Sequence, residues 1–296
     1  MEFKHLQTFA AVVKYNSFTK AADVLFLTQP TISSQIRQLE EELGVTLIRR
    51  TTKSIAVTDA GLELYHFAES ILAQKDRMIQ RCSRKDSNRI FIAASSIPSD
   101  CILPPALAIY RQKHPEIAYD IHKGNSETVM EAISDGRYDI GLIGMPCHNK
   151  GLQVLPLMKD HLILIMPNKE PYLSYIAHPE NLDWLTDTPF IMREKGSGSG
   201  KEASNLLSRL HLTENDLTVS VRSDSPDVIK ALVQADLGVS LISDLVVKKE
   251  IKDGSLLSLN FDAEAEGRQF YLIYQKNQML PDYIQEFVDF LSTFSL

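Results

Sequence analysis

Phe3, Leu6, Phe9, Val12 and Val13 recur at three- and four-residue intervals, so the chain opens on an amphipathic helix. A shorter helix begins after Ser17 and turns Phe18, Ala21, Ala22 and Leu25 inward. A third carries Ile32, Ile36, Leu39 and Leu43 at i, i+4, i+7 and i+11, one apolar stripe. Thr28 caps its start, and Pro30 falls in its first turn, where a missing N–H costs nothing. Leu47-Ile48 and Ile55-Ala56-Val57 then bracket a basic stretch, the pattern of a short hairpin. Thr58 and Asp59 open a long helix that no proline interrupts before about Arg84. Its Leu64, Phe67, Ala68, Ile71, Leu72, Met78 and Ile79 lie near heptad spacing, broken by Lys75. Nothing adjacent in sequence covers this seam, which predicts pairing with a second copy of the chain.

Residues 83–88 are polar and aperiodic, a hinge. Beyond it, strands at 89–94, 118–122 and 138–143 alternate with helices at 101–113 and 127–135. A second block has strands at 162–166, 189–192, 218–221 and 239–242, with helices after Gly200 and at 227–235. The strand 270–274 and the helix 281–294 return to the first block. Such alternation predicts an α/β body of parallel sheets covered by helices, in two lobes that the chain crosses twice. The expected division is a reading unit at 1–58, a linker helix and hinge at 59–88, and a body at 89–296. Within the body, lobe I takes about 89–161 and 268–296, and lobe II about 162–267.

At 296 residues, two or three such units are expected. The net charge of −7 divides unevenly: up to Arg89 there are 13 Lys and Arg against 10 Asp and Glu, so the acidity lies in the body. That asymmetry fits a modestly basic reader joined to an acidic body that does not touch nucleic acid. No apolar run approaches the ~18 residues of a membrane span, and MEFKHLQTF lacks a signal-peptide layout, so a cytoplasmic protein without membrane contact is expected. Cys82, Cys101 and Cys147 are odd in number and widely spaced, which fits reduced thiols and neither a zinc site nor a disulfide frame.

The polar face of the third helix holds Thr31, Ser34, Gln35 and Gln38, with Ser33 and Arg37 at its edges. Hydrogen-bonding side chains there, rather than a Glu/Lys mix, suit the major groove. The two helices before residue 44 read as a helix-turn-helix, and the basic hairpin reads as its wing. Gln29, Pro30, Thr31, Ser33, Ser34, Gln35 and Arg37 are the candidate DNA-facing positions. Ser33 and Gln35 would read base edges, while Arg49, Arg50 and Lys53 would hold phosphates.

The stretch from Phe9 to Gly61, with KYNSFTKAADVLFLTQPTISSQIRQLEEELGVTLIRRTTKSIAVTDAG, resembles the N-terminal signature of LysR-type transcriptional regulators. The resemblance continues through the whole chain. It implies an N-terminal winged helix-turn-helix, a linker helix and a two-lobed, periplasmic-binding-protein-like effector domain. It also implies a homodimer or homotetramer on double-stranded operator DNA, contact with RNA polymerase, and control by a small co-inducer without a bound cofactor. The segment AASSIPSDCILPP is similar to regulators of sulfur or selenium metabolism.

Four loops end strands of the body and precede helices, where an anion meets exposed N–H groups and a positive helix end. They hold Ser95, Ser96, Ile97 and Ser99; Asn125 and Ser126; Ser197 and Ser199; and Ser225. All resemble family positions that line the effector cleft. Family members commonly have Thr-Arg where this chain has Ser199-Gly200, which leaves Arg193 and Lys195 to supply positive charge. The glycine-rich loop lacks GxxxxGK[ST] and GxGxxG, against a nucleotide site. Eight scattered histidines without HExxH or GxSxG exclude the common hydrolase signatures.

Overall fold

The computed structural model describes residues 1–50, 55–82, 88–178, 182–194, 197–261 and 267–296. Two compact units form, one from Met1–Ser87 with Asp135–Arg137 and one from Asn88–Ser134 with Tyr138–Leu296.

In the first unit, α1 (Phe3–Tyr15), α2 (Phe18–Leu25) and α3 (Gln29–Leu43) are followed by strands β1 (Ile48–Arg50) and β2 (Ile55–Val57) and by α4 (Asp59–Cys82). The helix starts are those the sequence predicts. Ser17 accepts a hydrogen bond from the Lys20 N–H at 3.2 Å, and Thr28 accepts one from the Thr31 N–H at 3.4 Å. Leu6, Phe9 and Val12 pack against Phe18, Ala21, Ile32, Ile36 and Leu39 in one core. Each fully buried Leu, Ile, Val or Phe among them contributes roughly 1.5–3 kcal/mol by leaving water. Leu43, expected on the inward stripe, is 40% exposed, because it closes α3 beyond the end of that core.

β1 and β2 pair antiparallel as the predicted wing, with Ile48 opposite Val57 and Arg50 opposite Ile55. Two side chains fasten it. Glu40 accepts hydrogen bonds from the backbone N–H groups of Leu47 and Ile48 at 2.7 and 3.1 Å. Thr58 donates its hydroxyl to the Thr46 carbonyl at 2.7 Å and accepts from the Gly61 N–H, capping α4.

The α4 seam faces two ways. Leu64, Tyr65 and Leu72 pack with buried Ala68 onto the unit's own core. Phe67 and Ile71 stay 60% and 37% exposed, and Met78 and Ile79 remain exposed beside them. The sequence treated these positions as one face. A 3.6-residue repeat instead separates 64, 68 and 72 from 67, 71 and 78.

In the second unit, β3 (Arg89–Ser95) leads through a π-helical turn at Pro98–Ile102 into α5 (Leu103–Lys113). The expected helix from Cys101 is thus split, with Pro104 and Pro105 seated in the first turn of α5. β4 (Ala118–Gly124), α6 (Ser126–Ser134), β5 (Ile140–Ile143), β6 (Leu152–Asp160) and β7 (Leu162–Pro167) follow. Then come α7 (Tyr172–Ala177), α8 (Trp184–Asp187), β8 (Pro189–Arg193), α9 (Gly198–Arg209), β9 (Thr218–Ser223) and α10 (Pro226–Gln234). The chain closes with β10 (Ser240–Ser243), α11 (Asp244–Lys252), β11 (Leu256–Leu259), β12 (Arg268–Gln275) and α12 (Asp282–Thr293).

A five-stranded sheet runs in the order β4-β3-β5-β12-β6. It is mixed, not purely parallel: β3 runs with β4 and β5, whereas β12 is antiparallel to both β5 and β6. Ile90, Ile92 and Ala94 turn one face of β3 toward α5 and α12, while Ala93 on the other face packs with Val129 and Ile133 of α6. The remaining strands form an antiparallel sheet β10-β7-β11 and a parallel pair β8-β9, bridged where Phe190 meets Val239. Leu162, Leu164 and Met166 of β7 join one core, and Ile163 and Ile165 join another. The chain passes between these sheets at Asp160–Leu162 and again before Arg268.

Candidate functional site

On the first unit, Gln29, Pro30, Ser34, Arg37 and Gln38 are exposed on α3, and Thr31 and Ser33 are half-buried at the edges of that face. Gln35 is also half-buried, and its side-chain oxygen accepts a hydrogen bond from the Thr8 hydroxyl of α1 at 2.5 Å. The contact fixes how Gln35 presents its amide, and spacing along α3 gives no sign of it. Arg37 forms an ion pair with Glu41 at 2.9 Å. Arg49 is exposed on the wing. The side chain of Arg50, and Lys53 entirely, lie outside the described residues.

In the second unit the parallel register sets Ser95 beside Gly124, so the turns after β3 and β4 lie side by side. There Ser95, Ser96, Ile97 and Pro98 face Asn125 and Ser126 across a crevice of about 300 Å³, its open mouth included. Ser197, Gly198 and Ser199, at the start of α9, and Arg193, at the end of β8, close it from the other lobe. Seven of the nine predicted effector positions therefore meet in one place. Gly144 and Gly198 let the two sides approach, since a Cβ on Gly198 would stand 3.1 Å from the Gly144 carbonyl oxygen.

Two predicted positions fall elsewhere. Ser99 is carried into the π-helical turn and does not line the crevice. Ser225 caps α10 through the Val228 N–H at 3.4 Å, also outside it. The polar atoms within the crevice are partly engaged. Ser197 accepts from the Gly200 N–H at 2.9 Å, Ser126 accepts from the Gly144 N–H at 3.2 Å, and the Asn125 side-chain oxygen accepts from the Thr128 N–H at 2.8 Å.

Arg268 and Phe270 also line the crevice, and the sequence reading missed both. β12 runs against its neighbours, so its first residues arrive at the edge where β3 and β5 end. Looking only beyond strand carboxyl ends therefore passes over them. Arg268 donates Nε to Asp160 Oδ2 at 2.5 Å and lies over the Phe270 ring, 4.9 Å from its centroid. Asp160 is almost wholly buried and also accepts the Ser243 hydroxyl. Arg193 differs from Arg268. It is 5% exposed, its Nε and Nη1 have no hydrogen-bond partner, and among the described residues its ion pairing is limited to Glu194 at 3.6 Å. Burial, opposed by nearby Glu194 and Asp224, draws its pKa down from the ordinary arginine value. Cys101 is a half-buried thiol whose pKa is pushed up to about 11 by desolvation, the reverse of a reactive thiolate.

The model of the LysR substrate binding domain matches residues 83–295, and that of the lysR-family bacterial regulatory helix-turn-helix protein matches residues 3–62. The chain belongs to the LysR family. It is 31% identical over 287 residues to the uncharacterized HTH-type transcriptional regulator YeiE of Escherichia coli, covering 97% of this chain and 96% of that one. It is 32% identical to the HTH-type transcriptional regulator CysL of Bacillus subtilis, over 88% of this chain and 87% of that one. Its fold is that of the LysR family regulator CbnR, with a TM-score of 0.76 at 19% identity and full coverage of both chains. This LysR regulator thus joins a DNA-binding helix-turn-helix unit to an effector-binding domain and is not an enzyme. Among the described residues, no helix is long and apolar enough to cross a membrane.

Proposed function

We propose that this LysR regulator reads an inverted-repeat operator with α3 of two copies and answers to a small anion held in the crevice between the lobes. The observation that carries the reading is the meeting of Ser95 and Asn125 from one sheet with Ser197 and Arg193 from the other around one cavity. A ligand bonded to both sides favours their closure by its differential affinity for the closed state. Exposed Ser34, Arg37 and Gln38, with half-buried Ser33 and Gln35, supply base-edge donors and acceptors, and Arg49, Arg50 and Lys53 meet phosphates. Phe67, Ile71 and Met78 of α4 are the face on which two copies pair, as a dimer or within a tetramer. Bound near a promoter, such an assembly can recruit or obstruct RNA polymerase, in the cytoplasm where the chromosome lies. Ser95 to Pro98, part of the segment similar to sulfur and selenium regulators, line the crevice, which favours a pathway of that kind.

The test is footprinting of the purified protein on genomic fragments recovered with it, with and without sulfate, thiosulfate, O-acetylserine and aromatic acids. A two-fold symmetric protected site whose extent changes with one of these is the expected result. Protection without sequence preference, or unchanged by any small molecule that binds the crevice, overturns the reading.

A further inference from the structure

The turn between α2 and α3 carries a side chain that the fold does not use. Phe26 closes α2 in the left-handed region, with a φ of 55°, and is 95% exposed. Two backbone bonds hold it there. The Phe26 N–H donates to the Asp23 carbonyl at 3.3 Å, and the Leu27 N–H donates to the Ala22 carbonyl at 2.9 Å. Glycine or asparagine suits such a position, and a bulky aromatic in it is an outlier. Leu25, one residue earlier, packs against the core of the unit, which Phe26 does not join. A lone exposed apolar side chain is ordinary on a protein surface. One that is also held in a strained backbone conformation points to a contact made with a partner.

We infer that Phe26 is a further specificity-determining residue of the DNA-reading unit, laying its ring against a thymine methyl group, granted the reading above that α3 enters the major groove. Position names the partner. Exposure runs unbroken from Phe26 through Leu27, Thr28, Gln29 and Pro30. The ring therefore stands at the N-terminal end of α3, the end that a helix-turn-helix sends toward base edges. Chemistry names the group touched. A phenyl ring has no charge to hold a phosphate and no donor or acceptor to match a base edge. The C5-methyl of thymine is the apolar group of the major groove, and phenylalanine is among the side chains that fit it. Val24 and Leu27, 47% and 39% exposed, widen the same uncharged patch.

The experiment is competition binding of the full chain to the fragment protected in footprinting, with deoxyuridine replacing thymine at one position at a time. Wild type, Phe26→Asn and Ser34→Ala are compared. At one thymine of each half-site, loss of the methyl should weaken wild type about 4-fold, the worth of one buried methyl. The same change should leave Phe26→Asn unaffected. On the unmodified fragment Phe26→Asn should bind at least about 10-fold more weakly. Its salt dependence should match wild type, because no phosphate contact is lost. It should melt no lower than wild type, since asparagine tolerates the left-handed conformation. No thymine at which deoxyuridine weakens wild type, or a weakening that persists in Phe26→Asn, overturns the inference. Equal loss by Phe26→Asn on random DNA would place the ring on the sugar-phosphate backbone and also overturn it. So would full affinity with transcription lost, which would assign Phe26 to RNA polymerase. Ser34→Ala separates the two levels: if it loses affinity and Phe26→Asn does not, only the role of Phe26 fails. If neither loses affinity, the reading by α3 fails with it.

Discussion

In the DNA-reading unit, polar side chains at the ends of elements are spent on the fold: Ser17, Thr28 and Thr58 cap helices, and Glu40 binds two backbone N–H groups of the wing. In the effector-binding domain Ser197, Ser225 and Ser243 cap helices in the same way, yet Arg193 is buried with Nε and Nη1 unbonded. The first region keeps its functional donors at the surface, where water satisfies them until DNA arrives. The second withdraws a guanidinium from water and, among the described residues, gives it only a 3.6 Å ion pair with half-exposed Glu194, with Nε and Nη1 left unbonded. One is built to be stable without its partner, and the other to be stabilised by it.

The sharpest way to break that contrast lies between the two buried arginines. Replacing Asp160 by Ala strands Arg268 without its counter-charge and removes the acceptor of the Ser243 hydroxyl. A loss of about 3–5 kcal/mol is expected, read by calorimetric melting of the full chain. Arg193→Met should cost far less in the same measurement, because its ion pair with Glu194 is longer and that carboxylate is 40% exposed. Equal losses from both would mean that the Arg193–Glu194 pair holds the fold as firmly as Arg268–Asp160 does and that the contrast is false.

Next comes the exposed face of α4. Phe67→Glu with Ile71→Glu should leave the reading unit folded, because both residues lie outside its core. Charges set into an apolar pairing face cost several kcal/mol of association. Light scattering should then show smaller species. Leu64→Glu should instead unfold the reading unit, since Leu64 packs on its own core. Unchanged assembly size in the Phe67 and Ile71 variant would place the pairing face elsewhere.

A smaller effect is expected at the base-reading face. Thr8→Val removes the hydroxyl that holds Gln35 without touching any exposed residue of α3. Loss of an oriented amide should cost about 1–3 kcal/mol on the operator and little on random DNA. Competition binding with both DNAs makes the comparison. Equal loss on both would mean that Gln35 serves the fold and not the reading.

How much of this was legible follows from which interactions are local. Thr28 and Pro30 announce α3, and the short unbroken apolar run Leu162–Met166 announces β7, because both signals are set within a few residues. β6 was missed because Pro156 interrupts it, which an edge strand tolerates and a sequence pattern penalises. Strand direction is not written in hydrophobic period at all, so the antiparallel β12 and its Arg268 were invisible. Ser95, Asn125 and Ser197 could be placed by the rule that ligands lie beyond strand ends. Ser225 obeys the same rule and still serves only its helix. The tie from Thr8 to Gln35 spans two helices and has no sequence signature.

The wing supplies the smallest effect and a control on everything said of the reading face. Arg49 is exposed on β1, where the strand presents it away from the core that Leu47 and Ile48 enter. A phosphate contact there carries no sequence information, and its strength comes from release of counterions. Arg49→Ala should therefore weaken operator and random DNA alike. It should also flatten the dependence of log affinity on log salt by about one unit per reading unit. Titrations at several salt concentrations on both DNAs measure the slope. If the slope is unchanged and only the operator is lost, Arg49 reads a base, and the division of labour between α3 and the wing must be redrawn.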